Sequence, residues 1–421
     1  MSAAEWSGRR LHFIGIGGAG MSGLALVCAE LGAVVTGSDR AGSSYMERLR
    51  AEGLAPAVGH DAANLPAGDV EVVVSTAIAE DNLELAAARE RGLEVIHRGR
   101  LLAMLCAEKR LIAIAGTHGK TTTTAMVAWA LRATGADPAF FVGGEVPELG
   151  EDGATANAGW GEGEWVVAEA DESDASFLVL KPEIAVITNI EMDHHSRWGS
   201  VAELRLAFEQ FASGATAAGF DSGSPGPAEL PLAVPGHHNL LNARAALAAI
   251  EPTGVDLDEA AHALAEFPGV RRRLELKGEF EGAPVYDDYA HHPTEVRAAL
   301  SALREAGPER LVAAFQPHLY SRTKAFSDAF GAALALADEI VVLDVYPARE
   351  QPIGELEGVD GLLVARAAAD RAGGRPVTWA PSLDAAREAL AARAAPGRVL
   401  VTLGAGDVFK VGEDLVAGGS R

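Results

Sequence analysis

Gly116-Thr117-His118-Gly119-Lys120-Thr121-Thr122-Thr123-Thr124 places a lysine and a run of hydroxyls directly after a glycine-bearing turn. The turn follows an apolar, strand-like run, Leu111 to Ala115, and precedes an amphipathic helix, Thr121 to Arg132. Such a turn aims several backbone N–H groups at one point, and the helix N-terminus adds roughly half a positive charge there. A lysine on the turn and a hydroxyl just after it suit a polyphosphate with Mg²⁺. Ile114 stands where the strict P-loop has its first glycine. The segment predicts a nucleoside triphosphate site.

Two further strands deliver acids or histidines at their carboxyl ends. Trp165 to Glu169 runs into Glu169-Ala170-Asp171-Glu172-Ser173-Asp174, and Ile184 to Thr188 runs into Asn189-Ile190-Glu191-Met192-Asp193-His194-His195. A carboxylate beside the Thr121 hydroxyl is what an octahedral Mg²⁺ asks for, with water and phosphate oxygens completing its shell. Further on, Asn239 reads as a helix N-cap; Asn242, one turn later on the same face, is poorly explained by capping.

A second glycine turn lies near the start. Gly15-Ile16-Gly17-Gly18-Ala19-Gly20 joins a strand, Leu11 to Ile16, to a helix, Met21 to Leu31, and Asp39 follows Gly20 by 19 positions at the end of a second strand, Val34 to Thr36. On spacing alone this is a dinucleotide fingerprint or a cradle for another phosphate ligand. Val70 to Val74 ends in Ser75-Thr76-Ala77, either a plain strand-end turn or part of a ligand-binding sheet edge. The C-terminal third carries Arg271-Arg272-Arg273, either a solvated run or a phosphate-facing group. It also carries Asp287-Asp288-Tyr289-Ala290-His291-His292-Pro293-Thr294-Glu295 and Gln316-Pro317-His318-Leu319-Tyr320-Ser321-Arg322-Thr323.

The elements that must hold these groups form three α/β blocks, 1–106, 107–268 and 269–421. Strands in the last are expected near Val285-Tyr286, Leu311–Phe315, Ile340–Leu343 and Val399–Leu403. Ser213 to Glu229, rich in Gly, Ala, Ser and Pro, reads as a linker. The 421 residues carry 35 basic and 59 acidic side chains, a formal charge of −24. That balance argues against a broad basic face for nucleic acid or an anionic membrane. Two cysteines, Cys28 and Cys106, suggest a reducing compartment, and the absence of a secretory h-region or a long apolar run predicts a cytoplasmic protein without membrane insertion.

Taken together, GIGGAGMS (15–22), AGTHGKTTTT (115–124), EADESDASFL (169–178), TNIEMDH (188–194), PGHHNLLNA (235–243), RRR (271–273), DDYAHHPTE (287–295) and FQPHLYSRT (315–323) resemble the Mur ligase family in content and order. The resemblance implies three domains: a Rossmann-like domain for a UDP sugar, a central P-loop-type ATPase domain with a parallel sheet, and a C-terminal Rossmann-like domain. It implies joining of L-alanine to the lactyl carboxylate of UDP-N-acetylmuramate, with ATP and Mg²⁺, by way of an acyl phosphate, in a monomer or homodimer. By resemblance, Gly15, Gly17, Gly18, Gly20, Met21, Ser22, Asp39, Ser75 and Thr76 serve the UDP sugar rather than NAD. Gly116, Thr117, His118, Gly119, Lys120, Thr121, Thr122, Asn239, Asn242, Arg273 and Asp288 serve ATP. Lys120, Glu169 and His194 are the expected catalytic groups, with Thr121, Glu169 and His194 as metal ligands. His291 and Arg322 are expected to meet L-alanine. No lysine lies between His194 and Asn239, so the carbamoylated lysine of some sister ligases is not available there, which agrees with the alanine-adding branch. The interval from Phe211 to the PGHHN segment is shorter than the family usually has, which implies a trimmed central domain. Rival readings are a ligase that recycles a preformed murein peptide, and a nucleotide-binding regulator that has lost catalysis.

Overall fold

The computed structural model describes residues 3–193, 197–219 and 230–419. It holds three sheets, each with its own set of flanking helices.

The first sheet is wholly parallel and runs in the order β3-β2-β1-β4-β5, from β1 (Arg10–Ile14), β2 (Val34–Asp39), β3 (Ala57–Val58), β4 (Glu71–Val74) and β5 (Val95–His97). The order reverses between β1 and β4, and at such a switch point the crevice outside the strand ends is open to a ligand. The glycine turn after β1 and Ser75-Thr76 after β4 therefore face the same crevice.

The second sheet runs β11-β10-β6-β9-β7-β8. Its members are β6 (Arg110–Ala115), β7 (Ala139–Val146), β8 (Ala156–Gly159), β9 (Trp165–Glu169), β10 (Ile184–Ile187) and β11 (Thr216–Gly219), with only β8 antiparallel to its neighbour. Its centre, β6, is apolar and buried from Leu111 to Ala115 because it is covered on both faces, as parallel strands usually are. Register puts Ile114 beside Glu169 and Ala115 beside Ile187, so the acidic segments emerge next to the phosphate loop. Ser213–Glu229 is corrected in part: Thr216–Gly219 is an edge strand paired with β10, and after Thr216 its Ala and Gly carry no strand signature. Residues 220–229 lie outside the described ones.

The third sheet runs β12-β13-β17-β14-β15-β16, from β12 (Glu275–Phe280), β13 (Ala283–Asp288), β14 (Arg310–Phe315), β15 (Glu339–Val342), β16 (Val377–Trp379) and β17 (Arg398–Leu403). Apolar clusters cover both of its faces, one around Phe315 and Phe330 and the other around Val341 and Leu400.

The chain divides into two compact units: one ends at Pro268 and the other begins at Gly269, except that Val234–Asn239 goes with the second. The first unit contains the first two sheets, and one continuous core containing Phe13, Leu24, Leu105, Ala113, Phe177 and Phe208 joins them.

Candidate active site

In the first unit the phosphate loop hangs between β6 and the helix Lys120–Ala133. Gly116 (φ 122°) and Gly119 (φ 82°) both need a positive φ, and both are hemmed in. A Cβ at Gly116 would lie 2.2 Å from the Thr188 hydroxyl, and one at Gly119 would lie 2.4 Å from the Asn242 side-chain oxygen. Only glycine fits either position without strain. The loop is fixed from the β10 side: Thr117 N–H donates to Asn189 O (3.0 Å), His118 N–H to Asn189 Oδ1 (3.0 Å) and Thr188 Oγ1–H to His118 O (2.6 Å). Gly119 caps the helix without a side chain, which leaves its N-terminal dipole end facing the loop.

Lys120 is tied down rather than extended. Its Nζ donates to Gly116 O (2.7 Å) and Thr117 O (3.2 Å) and pairs with Glu172 Oε2 at 2.9 Å. Burial works against the ammonium, but the carboxylates of Glu172, Asp171 and Glu169 outweigh it and hold its pKa above the ordinary value. Glu172 also moves up, to about 7, because burial and the neighbouring Asp171 outweigh the lysine. Asp171, although partly desolvated, is held down to about 2 by Lys120 and Arg98. One lysine thus faces a buried acid, Glu172, and a partly exposed one, Asp171; burial and Asp171 push Glu172 up, while Lys120 and Arg98 hold Asp171 down.

Thr121 Oγ1–H donates to Glu169 Oε1 at 3.1 Å, and Glu169 Oε2 accepts from Gly143 N–H at 2.8 Å. A hydroxyl and a carboxylate at the head of a phosphate-loop helix form an all-oxygen donor set that fits Mg²⁺. His194, the third expected ligand, lies outside the described residues. Asn242 is brought to the loop, where its Oδ1 accepts from Thr123 Oγ1–H at 3.4 Å. Thr122 is buried in the helix's first turn.

The first glycine turn is built on the same plan. Gly17 N–H donates to Asp39 Oδ2 (2.9 Å), while Ser43 Oγ–H donates to Gly17 O (3.2 Å). Asp39 therefore braces the turn from the end of β2. Ser75 and Thr76 lie across the crevice, where Ile78 of the same turn comes up against Gly15. Met21 and Ser22 are packed inside the helix Ala19–Glu30, at 3% and 1% exposure. The Ser22 hydroxyl donates to Ala19 O and accepts from Asn157 Nδ2.

Glu84, fully buried beneath the end of β2, accepts from Ser38 Oγ–H (2.7 Å), Asn64 Nδ2 (3.1 Å) and Asp61 N–H (3.2 Å), and lies 2.8 Å from His12 Nε2. Burial would raise its pKa, but these partners hold it down at about 2.

In the second unit Asn239 is corrected: it lies inside the helix His237–Ile250, not before it, and its Nδ2 donates back to Pro235 O at 2.7 Å. The three arginines divide. Arg271 is exposed; Arg272 anchors β13 through Asp287 (3.0 Å) and Gly404 O (2.7 Å); and Arg273 lies over the Tyr289 ring at 5.3 Å. Asp288 spends both oxygens on backbone N–H groups, Leu274 (2.8 Å) and Ala290 (2.7 Å), and burial raises its pKa to about 6 against the pull of Arg273. His291 and Arg322 both approach His318: the imidazoles of 291 and 318 are 6.0 Å apart, and Arg322 Nη1 donates to His318 Nδ1 at 3.4 Å. Tyr346 stacks on His318 at 5.8 Å. Leu319, between them, has φ 68°, a strained value of the kind concentrated at functional sites.

Sequence reasoning passed over Arg98, Gly143, Asn157 and Tyr346. Arg98 had one signal, its place just past a strand end; the others had none.

Three α/β domains, with a glycine turn in the first and a lysine-bearing phosphate loop in the second, define a multidomain nucleotide-binding enzyme. Three family models match: "Mur ligase family, catalytic domain" over residues 10–110, "Mur ligase middle domain" over 114–222 and "Mur ligase, glutamate ligase domain" over 272–406. The chain belongs to the Mur ligase family. It is 45% identical to a UDP-N-acetylmuramate–L-alanine ligase of Renibacterium salmoninarum over 453 residues, covering 96% of this chain and 94% of that one. It is 43% identical to a ligase of the same name from Mycolicibacterium vanbaalenii, over 97% of this chain and 96% of that one. Among solved structures, the UDP-N-acetylmuramate–alanine ligase of Thermotoga maritima matches with a TM-score of 0.83 at 30% identity, covering 97% and 98% of the two chains. A murein peptide ligase of Psychrobacter arcticus matches with a TM-score of 0.70 at 25% identity, with the same coverage.

Proposed function

We propose that this chain is an ATP-dependent ligase that joins L-alanine to the lactyl carboxylate of UDP-N-acetylmuramate in peptidoglycan precursor synthesis, releasing ADP and phosphate. The observation that carries the reading is the Lys120–Thr121–Glu169 arrangement at the mouth of a phosphate loop, in a chain whose full-length relatives bear that name.

A carboxylate is a poor electrophile, so one of its oxygens first attacks the γ-phosphorus of ATP and ADP leaves. The amine of L-alanine then attacks the acyl carbon; phosphate departs with the former carboxylate oxygen, and the amine sheds a proton. Charge gathers on phosphoryl oxygens in both steps, where positioned cations and N–H donors give most of the stabilisation. The N–H groups of Gly119 to Thr122 cradle the phosphates, with Gly116, Thr117 and His118 shaping the turn. Lys120 exchanges its carbonyl and Glu172 partners for phosphate oxygens. Thr121 and Glu169, with His194, would hold Mg²⁺, which supplies charge neutralisation at the transferring phosphoryl group. Asn239, Asn242, Arg273 and Asp288 serve the rest of the nucleotide, and the glycine turn Gly15–Gly18 with the helix start Gly20–Ser22, Asp39, Ser75 and Thr76 serves the UDP sugar. Arg322 pairs with the alanine carboxylate and His291 lies beside the amine. Domain limits at 106/107 and 268/269, a cytoplasmic location and a monomer or homodimer belong to the same reading. Among the described residues no helix is long and apolar enough to cross a membrane.

Phosphate release from ATP, with UDP-N-acetylmuramate and either L-alanine or a murein tripeptide, tests it. Release with L-alanine supports the reading. Release only with the tripeptide would favour the recycling ligase, and release with neither a lapsed regulator. The higher TM-score to the alanine-adding structure favours L-alanine.

A further inference from the structure

Within the first unit, a cavity of about 230 Å³ runs from Ala19 and Gly20, at the head of the helix after the first glycine turn, to Gly143 and Glu169 beside the phosphate loop. Apolar walls come from Phe141 and Phe177. Of the charged residues that line it, Glu169 and Asp171 are acids, and Arg98 carries the only positive charge. An acid-lined channel between a nucleotide-sugar turn and a phosphoryl-transfer loop repels an anionic substrate unless a cation in its wall receives it.

The Arg98 guanidinium is held at one end and open at the other. Nη2 donates to Asp171 Oδ2 at 2.8 Å and lies 3.5 Å from Asp174 Oδ2. Among the described residues neither Nη1 nor Nε makes a hydrogen bond, and Nη1 stands 3.2 Å from where a Cβ on Gly20 would be. A guanidinium fixed through one nitrogen keeps its remaining donors aimed as a rigid fork, which suits a carboxylate or phosphate oxygen.

Resting on the function proposed above, we propose that Arg98 is a substrate-binding residue whose free edge receives an oxyanion of the nucleotide sugar as it lies between the glycine turn and Glu169. Two oxyanions of that substrate have this chemistry, the diphosphate and the lactyl carboxylate. UDP-N-acetylglucosamine, which has the first and lacks the second, separates them.

The test is equilibrium binding of UDP-N-acetylmuramate, UDP-N-acetylglucosamine and ADP to the full chain and to Arg98→Ala, Arg98→Lys and Asp171→Asn. Loss of a charge-assisted contact predicts about tenfold to a hundredfold weaker UDP-N-acetylmuramate binding in Arg98→Ala, a smaller loss in Arg98→Lys, and ADP affinity within about twofold of the parent. If UDP-N-acetylglucosamine is weakened equally, the diphosphate is the partner; if it is untouched, the carboxylate is. Asp171→Asn keeps the guanidinium and an acceptor oxygen for Nη2, so it should weaken nucleotide-sugar binding far less than Arg98→Ala. If it instead weakens binding as much as Arg98→Ala, the pair is only a structural tie and the inference falls. The inference also falls, alone, if the parent binds UDP-N-acetylmuramate and both Arg98 variants match it. A parent that does not bind UDP-N-acetylmuramate overturns the proposed function and this inference with it.

Discussion

The Lys120 ammonium lies 2.9 Å from a carboxylate oxygen of Glu172, and the Glu172 side chain is 1% exposed. Burial and Asp171 raise Glu172 to about 7. A carboxyl whose folded pKa lies above its unfolded value costs nothing below the unfolded value, and its penalty grows to full size as pH rises through the folded one. Glu172→Gln removes that penalty. Its stability relative to the parent should therefore rise between pH 5 and pH 8, by about 2 kcal/mol. Denaturant unfolding of the two proteins at both pH values checks this.

Glu84 gives the opposite sign. Its carboxylate is held at about 2 by His12, Ser38 and Asn64, so the stability it confers is present above the ordinary carboxylate range and is lost as pH falls toward 2. Glu84→Gln should cost about 3 kcal/mol at pH 7, since it leaves His12 and Ser38 with a neutral partner in a dry site. The loss should shrink in acid, as read from melts at pH 7 and pH 4.

Lys120→Ala should lower kcat by about a thousandfold or more, because the phosphate loop loses its one cation. Binding of UDP-N-acetylmuramate should persist, since the turn at Gly15–Gly20 is a separate structure. Calorimetry of the variant measures it; loss of both activities would mean that the two glycine turns are wrongly assigned.

Thr121→Val and Glu169→Gln should each raise the Mg²⁺ concentration needed for half-maximal turnover by about tenfold. The readout is a Mg²⁺ titration at saturating ATP. Removing Mg²⁺ with a chelator should stop turnover of the parent.

Much of this was legible because it is local. Phosphate loops announce themselves by a strand, a glycine turn and a helix contiguous in sequence, and Leu111–Thr124 supplies all three. Strands in the sheet centres, such as β6 and β14, are written as apolar runs after one leading arginine because both faces are covered. Edge strands were not legible: β12 (ELKGEF) alternates weakly against solvent, and β8 (ANAG) and β11 (TAAG) have small side chains with no period. Nor was the Arg98–Asp171 contact, whose partners stand 73 residues apart and meet only through tertiary packing. Asn239 misled for a related reason. A residue able to cap a helix can equally turn its amide back onto Pro235 O from inside the first turn.

The central claim is that the loop at Lys120 sends the γ-phosphate of ATP to a carboxylate. The most direct measurement is oxygen transfer, using UDP-N-acetylmuramate labelled with ¹⁸O in its lactyl carboxylate, together with ATP and L-alanine. Mass spectrometry of the released phosphate should find one ¹⁸O in each turnover, carried over when the amine displaces phosphate from the acyl carbon. Unlabelled phosphate, formed while L-alanine is still being joined, would contradict the acyl-phosphate route.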